Sequence, residues 1–297
     1  MARIVECVPN FSEGRREEIV QALAGAVRDT AGVRLLDVQA DPSHNRCVLS
    51  FVGDLEAVRA AALAAAARAV ELIDMNRHQG EHPRIGAVDV IPLVPIAGVS
   101  MEECVAAARA LGREIWERLR LPVYFYAEAA LRPERKRLPE IRKGEYEGLK
   151  EKLADPLWAP DVGEPVPHPT AGVTVVGARR PLIAYNINLT TTDVEVARRI
   201  ARAVRESSGG LVNVQAMGVR AASGQAQVSM NLLDHTTTPV HRAFELVRVE
   251  ASRYGADILE SEVVGLIPLD AVADVARHYL RLRGFDRAQI LEAKLME

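Results

Sequence analysis

The chain has 297 residues, enough for one large domain or two of ordinary size. Hydrophobic residues make up 48% of it and charged residues 26%, a composition typical of soluble globular proteins. The formal net charge of −3 gives no support for nucleic acid or an anionic membrane as a partner.

Two halves of the sequence predict the same order of elements. In the first half, apolar runs and helical spacing predict a strand, a helix, two strands, a helix, a strand, a helix and a final strand, over residues 4–8, 16–31, 33–38, 47–52, 55–74, 88–96, 101–119 and 122–126. In the second half they predict a strand, a helix, two strands, a helix, a strand and a helix, over residues 182–189, 192–207, 212–219, 226–232, 238–255, 258–268 and 271–282. Ser100 with Glu103 predicts a capping box, and Thr192 with Glu195 is the matching cap candidate.

The shared order β-α-β-β-α-β-α predicts an α/β fold of the α+β type. We expect two similar subdomains, residues 1–180 and 181–297, each with a mixed sheet and with helices packed on one face. Since ligands prefer grooves, we expect the ligand groove between the two subdomains.

A different kind of segment, residues 131–172, separates the two repeats. Its first part, residues 132–152, carries eight basic and five acidic residues and predicts either a solvated helix or a functional surface. The part after residue 158 is rich in proline and glycine, and it is either a linker or a functional loop. One basic run is a candidate contact for the tail of a polyglutamylated ligand: Arg132, Arg135, Lys136 and Arg137.

The residues 77–86 predict an active-site loop. Gly80 and Pro83 break the helix that precedes them, and they bring His78 and His82 into a loop flanked by arginines. Histidine can transfer protons near neutral pH, and arginine binds carboxylates, so the loop favours an acidic substrate. His78 is alternatively a solvated loop residue.

Two other chemistries are weaker interpretations. The spacing of His78, Glu81 and His82 matches the H-x-x-E-H zinc pattern, but the helix it needs is broken, so we predict no metal. The second weaker interpretation is a cysteine nucleophile. Cys7, Cys47 and Cys104 are odd in number and form no C-x-x-C, which predicts a reduced, cytoplasmic protein instead.

Seven segments in collinear order carry a family resemblance: VECVPNFSEG (5–14), the stretch around RHQGEHPRIG (72–90), GEYEGL (144–149), WAPDVG (158–163), GAR (177–179), NINL (186–189) and VGLIPL (264–269). Together they resemble the glutamate formimidoyltransferase (formiminotransferase) family over nearly the whole chain. The resemblance implies transfer of the formimino group of N-formimino-L-glutamate to tetrahydrofolate, in histidine degradation and one-carbon metabolism. The alternatives are a transferase or cyclo-ligase that uses 5-formyltetrahydrofolate, and a folate-binding protein without catalysis.

The resemblance also implies roles for particular residues. The catalytic histidine is His82, and the folate-binding loop is Gly163, Glu164, Pro165, Val166, Pro167, His168, Pro169, Thr170, Ala171 and Gly172. Further candidates for substrate binding are Asn10, Asp41, Asn45, Arg46, Arg77, Glu81, Arg84, Asn186 and Asn188. The family's acidic position near this histidine is Gln39 here, and Asp41 is the candidate to orient His82 instead. We expect tetrahydrofolate as co-substrate, no metal, and a homodimer.

Overall fold

The computed structural model describes residues 3–295, so residues 1, 2, 296 and 297 of the two predicted subdomains lie outside the described part. The chain divides into two compact units between Arg179 and Arg180. Within residues 3–295, no helix is both long and apolar enough to cross a membrane.

The first unit combines a sheet with five helices. Its strands are β1 (Ile4–Cys7), β2 (Asn10–Phe11), β3 (Val33–Asp41), β4 (Arg46–Gly53), β5 (Val88–Ala97), β6 (Val123–Ala127) and β7 (Thr174–Ala178). Its α-helices are α1 (Glu17–Arg28), α2 (Leu55–Leu72), α3 (Met101–Leu119), α4 (Leu138–Arg142) and α5 (Leu149–Ala154).

The strands of the first unit lie in the order β3, β4, β1 with β2, β5, β7, β6. β1 and β2 both pair antiparallel with β4 and with β5, so they form one strand that is interrupted at Val8 and Pro9. β7 pairs in parallel with β5 and with β6. The mixed sheet predicted for the first half is therefore confirmed.

Apolar cores lie on both faces of this sheet. The long helices α1, α2 and α3 pack on one face, where Leu23, Ala62 and Leu111 are buried. On the opposite face α4 and α5 cover part of the sheet, with Ile141 packed in the same cluster as Tyr124. The prediction of helices on one face is thus right for the long helices and wrong for residues 132–152, which we call the charged segment. That segment is packed on the sheet because its few apolar residues are spaced to face it.

The second unit is a smaller version of the same design. Its elements are β8 (Ile183–Leu189), α6 (Val194–Val204), β9 (Val214–Arg220), β10 (Ala226–Leu232), α7 (Val240–Ser252), β11 (Ile258–Val264), α8 (Leu269–Leu280) and α9 (Leu291–Leu295). The sheet order is β11, β8, β10, β9, and every pairing is antiparallel, so the prediction of a mixed sheet is wrong here. The order matches β5, β1 with β2, β4, β3 of the first unit, as expected for a repeat.

Two further details differ from the sequence-based expectation. The strand β7 was not predicted; all five of its residues are buried between parallel neighbours, so they show no alternation of polar and apolar residues. Helix α6 is capped by Asp193, which accepts from the backbone N–H of Glu195, and not by Thr192. The capping box of Ser100 and Glu103 is confirmed.

A buried ion pair fastens the charged segment to the sheet. Arg135 is only 1% exposed, and its guanidinium binds the Asp161 carboxylate and the carbonyl oxygens of Leu157 and Ala159. Asp161 in turn accepts from the backbone N–H of Phe125 in β6 at 2.8 Å. The aspartate of the WAPDVG motif is therefore structural, and Arg135 is not available to a polyglutamate tail.

Replacing Arg135 by glutamine should lower the free energy of unfolding by about 3–5 kcal/mol, because Asp161 would stay buried without its cation. Chemical denaturation at neutral pH measures the change. Arg137→Gln, at an exposed position of the same segment, is the matched control and should change the stability by less than about 0.5 kcal/mol. Equal stability of the two variants would contradict an anchoring role for the pair.

Candidate active site

The loop that carries His82 (the His82 loop, residues 74–86) is held against the turn between β3 and β4. Asn45 lies in that turn with a φ of 48°, and its Nδ2 donates to the carbonyl oxygen of Gln79 at 2.9 Å. Gly80 passes so close that a Cβ there would lie 2.3 Å from the carbonyl oxygen of His44. Asn45 therefore supports the loop in this structure, and only glycine fits at position 80.

His78 is fixed by hydrogen bonds at both ring nitrogens. Its Nε2 donates to the carbonyl oxygen of Asn45 at 2.9 Å, and its Nδ1 accepts from Nε of Arg84 at 3.2 Å. Arginine can only donate, so the ring is neutral and carries its proton on Nε2. Burial lowers the pKa of His78, and the charge of Arg84 adds to the effect. This histidine is neither a solvated loop residue nor free to bind a metal.

Arg84 is a clamp between two loops. It is 6% exposed, and its guanidinium binds Glu145 at 2.7 Å and Glu147 at 2.6 Å. The GEYEGL motif is thereby tied to the His82 loop, and the structure does not leave Arg84 free for a substrate. Glu81 is exposed, and within residues 3–295 it takes part in no ion pair.

His82 is half-buried, and its Nε2 lies 3.0 Å from Nη1 of Arg46. Because the guanidinium donates, Nε2 is the unprotonated nitrogen and the imidazole carries its proton on Nδ1. Burial lowers the pKa of His82 to about 2, and the charges of Arg46 and Arg142 act in the same direction. His82 is therefore a neutral imidazole whose basic nitrogen is occupied by an arginine.

The partners of His82 come from distant parts of the chain. Nη1 of Arg46, at the start of β4, also donates to Oδ1 of Asn10 at 3.3 Å. Arg142, the last residue of α4, forms an ion pair with the buried carboxylate of Asp89 in β5. Sequence reasoning missed Arg142 and Asp89; the one available signal was an aspartate inside an apolar strand.

Asp41 does not contact His82 directly. Its Oδ2 lies 2.6 Å from Nδ1 of His44, and its Oδ1 accepts from the backbone N–H groups of Ser43 and His44. The ring of His44 meets that of His82 edge-on, with 6.4 Å between centroids. The expected contact of Asp41 with His82 is corrected accordingly: the aspartate is bound by its own turn, and His44 stands between them.

The 163–172 loop is fastened to both ends of the His82 loop. The carbonyl oxygen of Thr170 accepts from the N–H of Met75 at 2.7 Å, and that of Ala171 accepts from the N–H of Ala87 at 2.9 Å. The outer residues Glu164, Pro165 and Val166 are exposed. The loop therefore combines an anchored end beside His82 with an exposed part that can meet a ligand.

His168 closes this loop. Its Nδ1 accepts from the backbone N–H groups of Thr170 at 3.3 Å and Ala171 at 3.1 Å. The backbone N–H of His168 donates to the carbonyl oxygen of Gly172 at 2.8 Å. Burial lowers the pKa of His168, as expected for an imidazole that accepts from two N–H groups.

The remaining candidates, Arg77, Asn186 and Asn188, have side-chain partners of their own. The side chain of Arg77 is 89% exposed and lies 3.6 Å from the Asp74 carboxylate. Asn186 and Asn188 belong to the second unit, on the face of β8 opposite Ile187, and donate to carboxylates of β11.

Metal and thiol chemistry find no support in the site. Among residues 3–295, no three histidine, cysteine, aspartate or glutamate side chains are placed to hold a metal ion. Cys7, Cys47 and Cys104 are buried, and burial raises the pKa of Cys47 to about 12 and that of Cys104 to about 11. These thiols stay protonated and are poor nucleophiles.

Similarity to known proteins agrees with this geometry. Residues 4–179 match the formiminotransferase domain, N-terminal subdomain, and residues 184–294 match the formiminotransferase domain. The chain is 45% identical to a glutamate formimidoyltransferase of Streptococcus pyogenes serotype M1 over 100% of both chains, and 48% identical to one of Thermoplasma acidophilum over 98% of this chain and 97% of that one. It is 50% identical to a formimidoyltransferase-cyclodeaminase of Gallus gallus over 95% of this chain and 53% of that protein.

A neutral histidine beside guanidinium groups is equipped to move protons during transfer of a group from an anionic donor. The chain belongs to the formiminotransferase family and is a transferase.

We expect the free energy of unfolding to fall as the pH drops from about 6.5 to about 5. The folded protein holds the pKa values of His78, His82 and His168 below the ordinary 6.5, so the unfolded chain binds protons that the folded chain does not. The stabilisation that comes from these three neutral histidines is complete above about pH 6.5 and is lost as the pH falls toward their pKa values in the folded protein. Denaturation curves at several pH values measure it.

The variant His168→Asn provides the control for the pH dependence. Its side-chain oxygen can accept the same backbone N–H groups without titrating, so its unfolding free energy should depend less on pH. A wild-type stability that stays constant over this pH range would contradict the neutral state of these histidines.

Proposed function

We propose that this protein transfers the formimino group of N-formimino-L-glutamate to tetrahydrofolate, giving L-glutamate and 5-formimidoyltetrahydrofolate. The observation that carries the proposal is the neutral His82, with Nε2 3.0 Å from Arg46, on a loop tied to the 163–172 loop. Membership of the formiminotransferase family supports the same conclusion.

His82 supplies the acid–base chemistry that this transfer requires. The N5 atom of tetrahydrofolate attacks the carbon of the formimino group, and a tetrahedral intermediate forms. N5 must then lose its proton, which the unprotonated Nε2 of His82 can accept. A positioned base of this kind contributes about 10²–10⁴-fold to the rate.

The same histidine completes the reaction. When the intermediate collapses, the bond between the carbon and the glutamate nitrogen breaks, and that nitrogen needs a proton. The imidazolium formed in the first step donates it, which returns His82 to its neutral state. The proton balance closes without a metal or a covalent enzyme intermediate.

We place the folate against the 163–172 loop. Its anchored end lies beside the His82 loop, and its exposed residues Glu164, Pro165 and Val166 offer contact surface. We propose that the exposed cations Arg132, Lys136 and Arg137 of the basic run meet the anionic folate tail. The affinity should then weaken with added salt, because exposed charge pairs are screened beyond about 8–10 Å at physiological ionic strength.

The remaining parts of the proposal concern the whole molecule. We propose that residues 1–180 and 181–297 form the two subdomains of the enzyme, that tetrahydrofolate is a co-substrate, and that no metal is needed. We also propose that the protein acts as a homodimer in the cytoplasm, without nucleic acid or membrane partners.

An assay of the purified protein separates this function from the alternatives. With tetrahydrofolate and formiminoglutamate, 5-formimidoyltetrahydrofolate should form. A transferase or cyclo-ligase of the formyl type would instead require a 5-formyl folate. Folate binding without turnover of any donor would leave only a binding protein.

Replacing His82 by alanine should lower kcat by about 10²-fold or more, because the proton acceptor is lost. Folate affinity should change little, since the 163–172 loop is held by backbone hydrogen bonds at residues 75 and 87. Gln79→Ala, at an exposed position of the same loop, is the matched control and should keep near-normal turnover. Near-normal turnover of His82→Ala would refute its role.

A further inference from the structure

We propose that Arg46 and Arg142 together form the receptor for one carboxylate of the donor, and that this carboxylate draws Arg46 away from His82 and frees Nε2. The inference rests on the proposed function and names the part of the donor that this end of the site recognises. It makes Arg142, in the charged segment, a substrate-binding residue.

The first observation is the unbalanced charge of Arg46. Its guanidinium donates to Oδ1 of Asn10 and to Nε2 of His82, and both acceptors are neutral. Among the described residues, no carboxylate lies within 4 Å of its nitrogens. Burial lowers the pKa of Arg46 and so disfavours its charge. A half-buried cation of this kind is costly unless an anion joins it.

The second observation is the position of Arg142. One of its terminal nitrogens, Nη2, binds Asp89, while its Nε is buried with no hydrogen-bond acceptor among residues 3–295. The two arginines meet through neighbouring strands: Arg46 binds Asn10, which pairs with Val90 of β5, and the adjacent Asp89 holds Arg142. In agreement with this placement, the charge of Arg142 lowers the pKa of both Arg46 and His82. Two neighbouring guanidinium groups with unused donors suit a carboxylate, which accepts several charged hydrogen bonds at once.

The other charges around His82 are already compensated. The other two guanidinium groups that act on His82 already have carboxylate partners: Arg84 binds Glu145 and Glu147, and Arg142 binds Asp89. Of the guanidinium groups that act on His82, Arg46 is the one without a carboxylate partner among the described residues. A substrate carboxylate would supply the direct partner that Arg46 lacks.

The hydrogen bond between Arg46 and His82 gives this charge a mechanistic consequence. A carboxylate is a stronger acceptor for guanidinium than a neutral imidazole is, because the bond is charge-assisted at both ends. Binding of the donor would therefore take the N–H of Arg46 and leave Nε2 of His82 free. The added negative charge would also raise the pKa of His82 toward neutrality, where it can accept a proton.

Donor analogues that lack one carboxylate test the receptor. Arg142→Gln should lower kcat/KM for N-formimino-L-glutamate by about 10- to 100-fold, the value of one or two charged hydrogen bonds, and leave the KM for tetrahydrofolate nearly unchanged. The formimino derivatives of 4-aminobutyrate and of 2-aminobutyrate each lack a different carboxylate. For the analogue that lacks the carboxylate bound by Arg142, the Arg142→Gln substitution should lower kcat/KM little further.

The control and the rescue separate binding from folding. Lys143→Gln removes the charge of the neighbouring exposed residue and should act like the wild type. Arg142→Lys keeps a charge and should recover part of the loss. If Arg142→Gln lowered kcat/KM equally for all three donors, or did not lower it at all, the assignment of Arg46 and Arg142 as the carboxylate receptor would be wrong.

A binding measurement on the wild-type protein keeps this test independent of turnover. Calorimetry without folate should detect binding of glutarate, whereas the neutral diamide of glutarate should not bind. The Arg142→Gln substitution should weaken the affinity for glutarate by about 10-fold or more. Equal binding of glutarate and its diamide would overturn the inference. If glutarate binds as expected but no formimino group is transferred, the proposed function fails and the carboxylate receptor stands.

Discussion

The hydrogen bond from Arg46 to Nε2 of His82 determines the protonation state of the imidazole and so the chemistry of the site. A guanidinium can only donate, so this bond requires an unprotonated Nε2, and burial among positive charges keeps the ring neutral. The same bond occupies the nitrogen that has to act as the base. Arg46 thus holds His82 in its basic form and also limits its use until a ligand competes for the arginine.

The fold supplies this contact through loop supports rather than through one long element. Asn45, with its positive φ, ends the β3–β4 turn and places Arg46 at the start of β4. The same asparagine accepts from His78, whose other nitrogen accepts from Arg84, and Arg84 is clamped by Glu145 and Glu147. Neutral histidine, buried arginine and the GEYEGL motif are therefore one connected system, and a change at any member should move His82.

Much of the fold could be predicted from local patterns. The repeated order of strands and helices followed from apolar periodicity, and the His82 loop followed from Gly80 and Pro83. Arg142 and Asp89 could not be predicted, because they are 53 residues apart and meet only when α4 packs on the sheet. An arginine on the His82 loop is what a substrate contact would look like in a sequence, yet Arg84 is structural because it binds Glu145 and Glu147 of the charged segment. Nothing local to a sequence distinguishes an arginine that will be paired from one that will not.

The most direct test of this account is the protonation state of His82, followed by nitrogen-15 NMR of the imidazole and assigned with His82→Ala. The account predicts a neutral ring with its proton on Nδ1 from neutral pH down to at least about pH 5, where an ordinary histidine of pKa about 6.5 is charged. It also predicts that the pKa rises when glutarate is added. A ring that becomes protonated near pH 6.5 without ligand, or whose proton lies on Nε2, would contradict it.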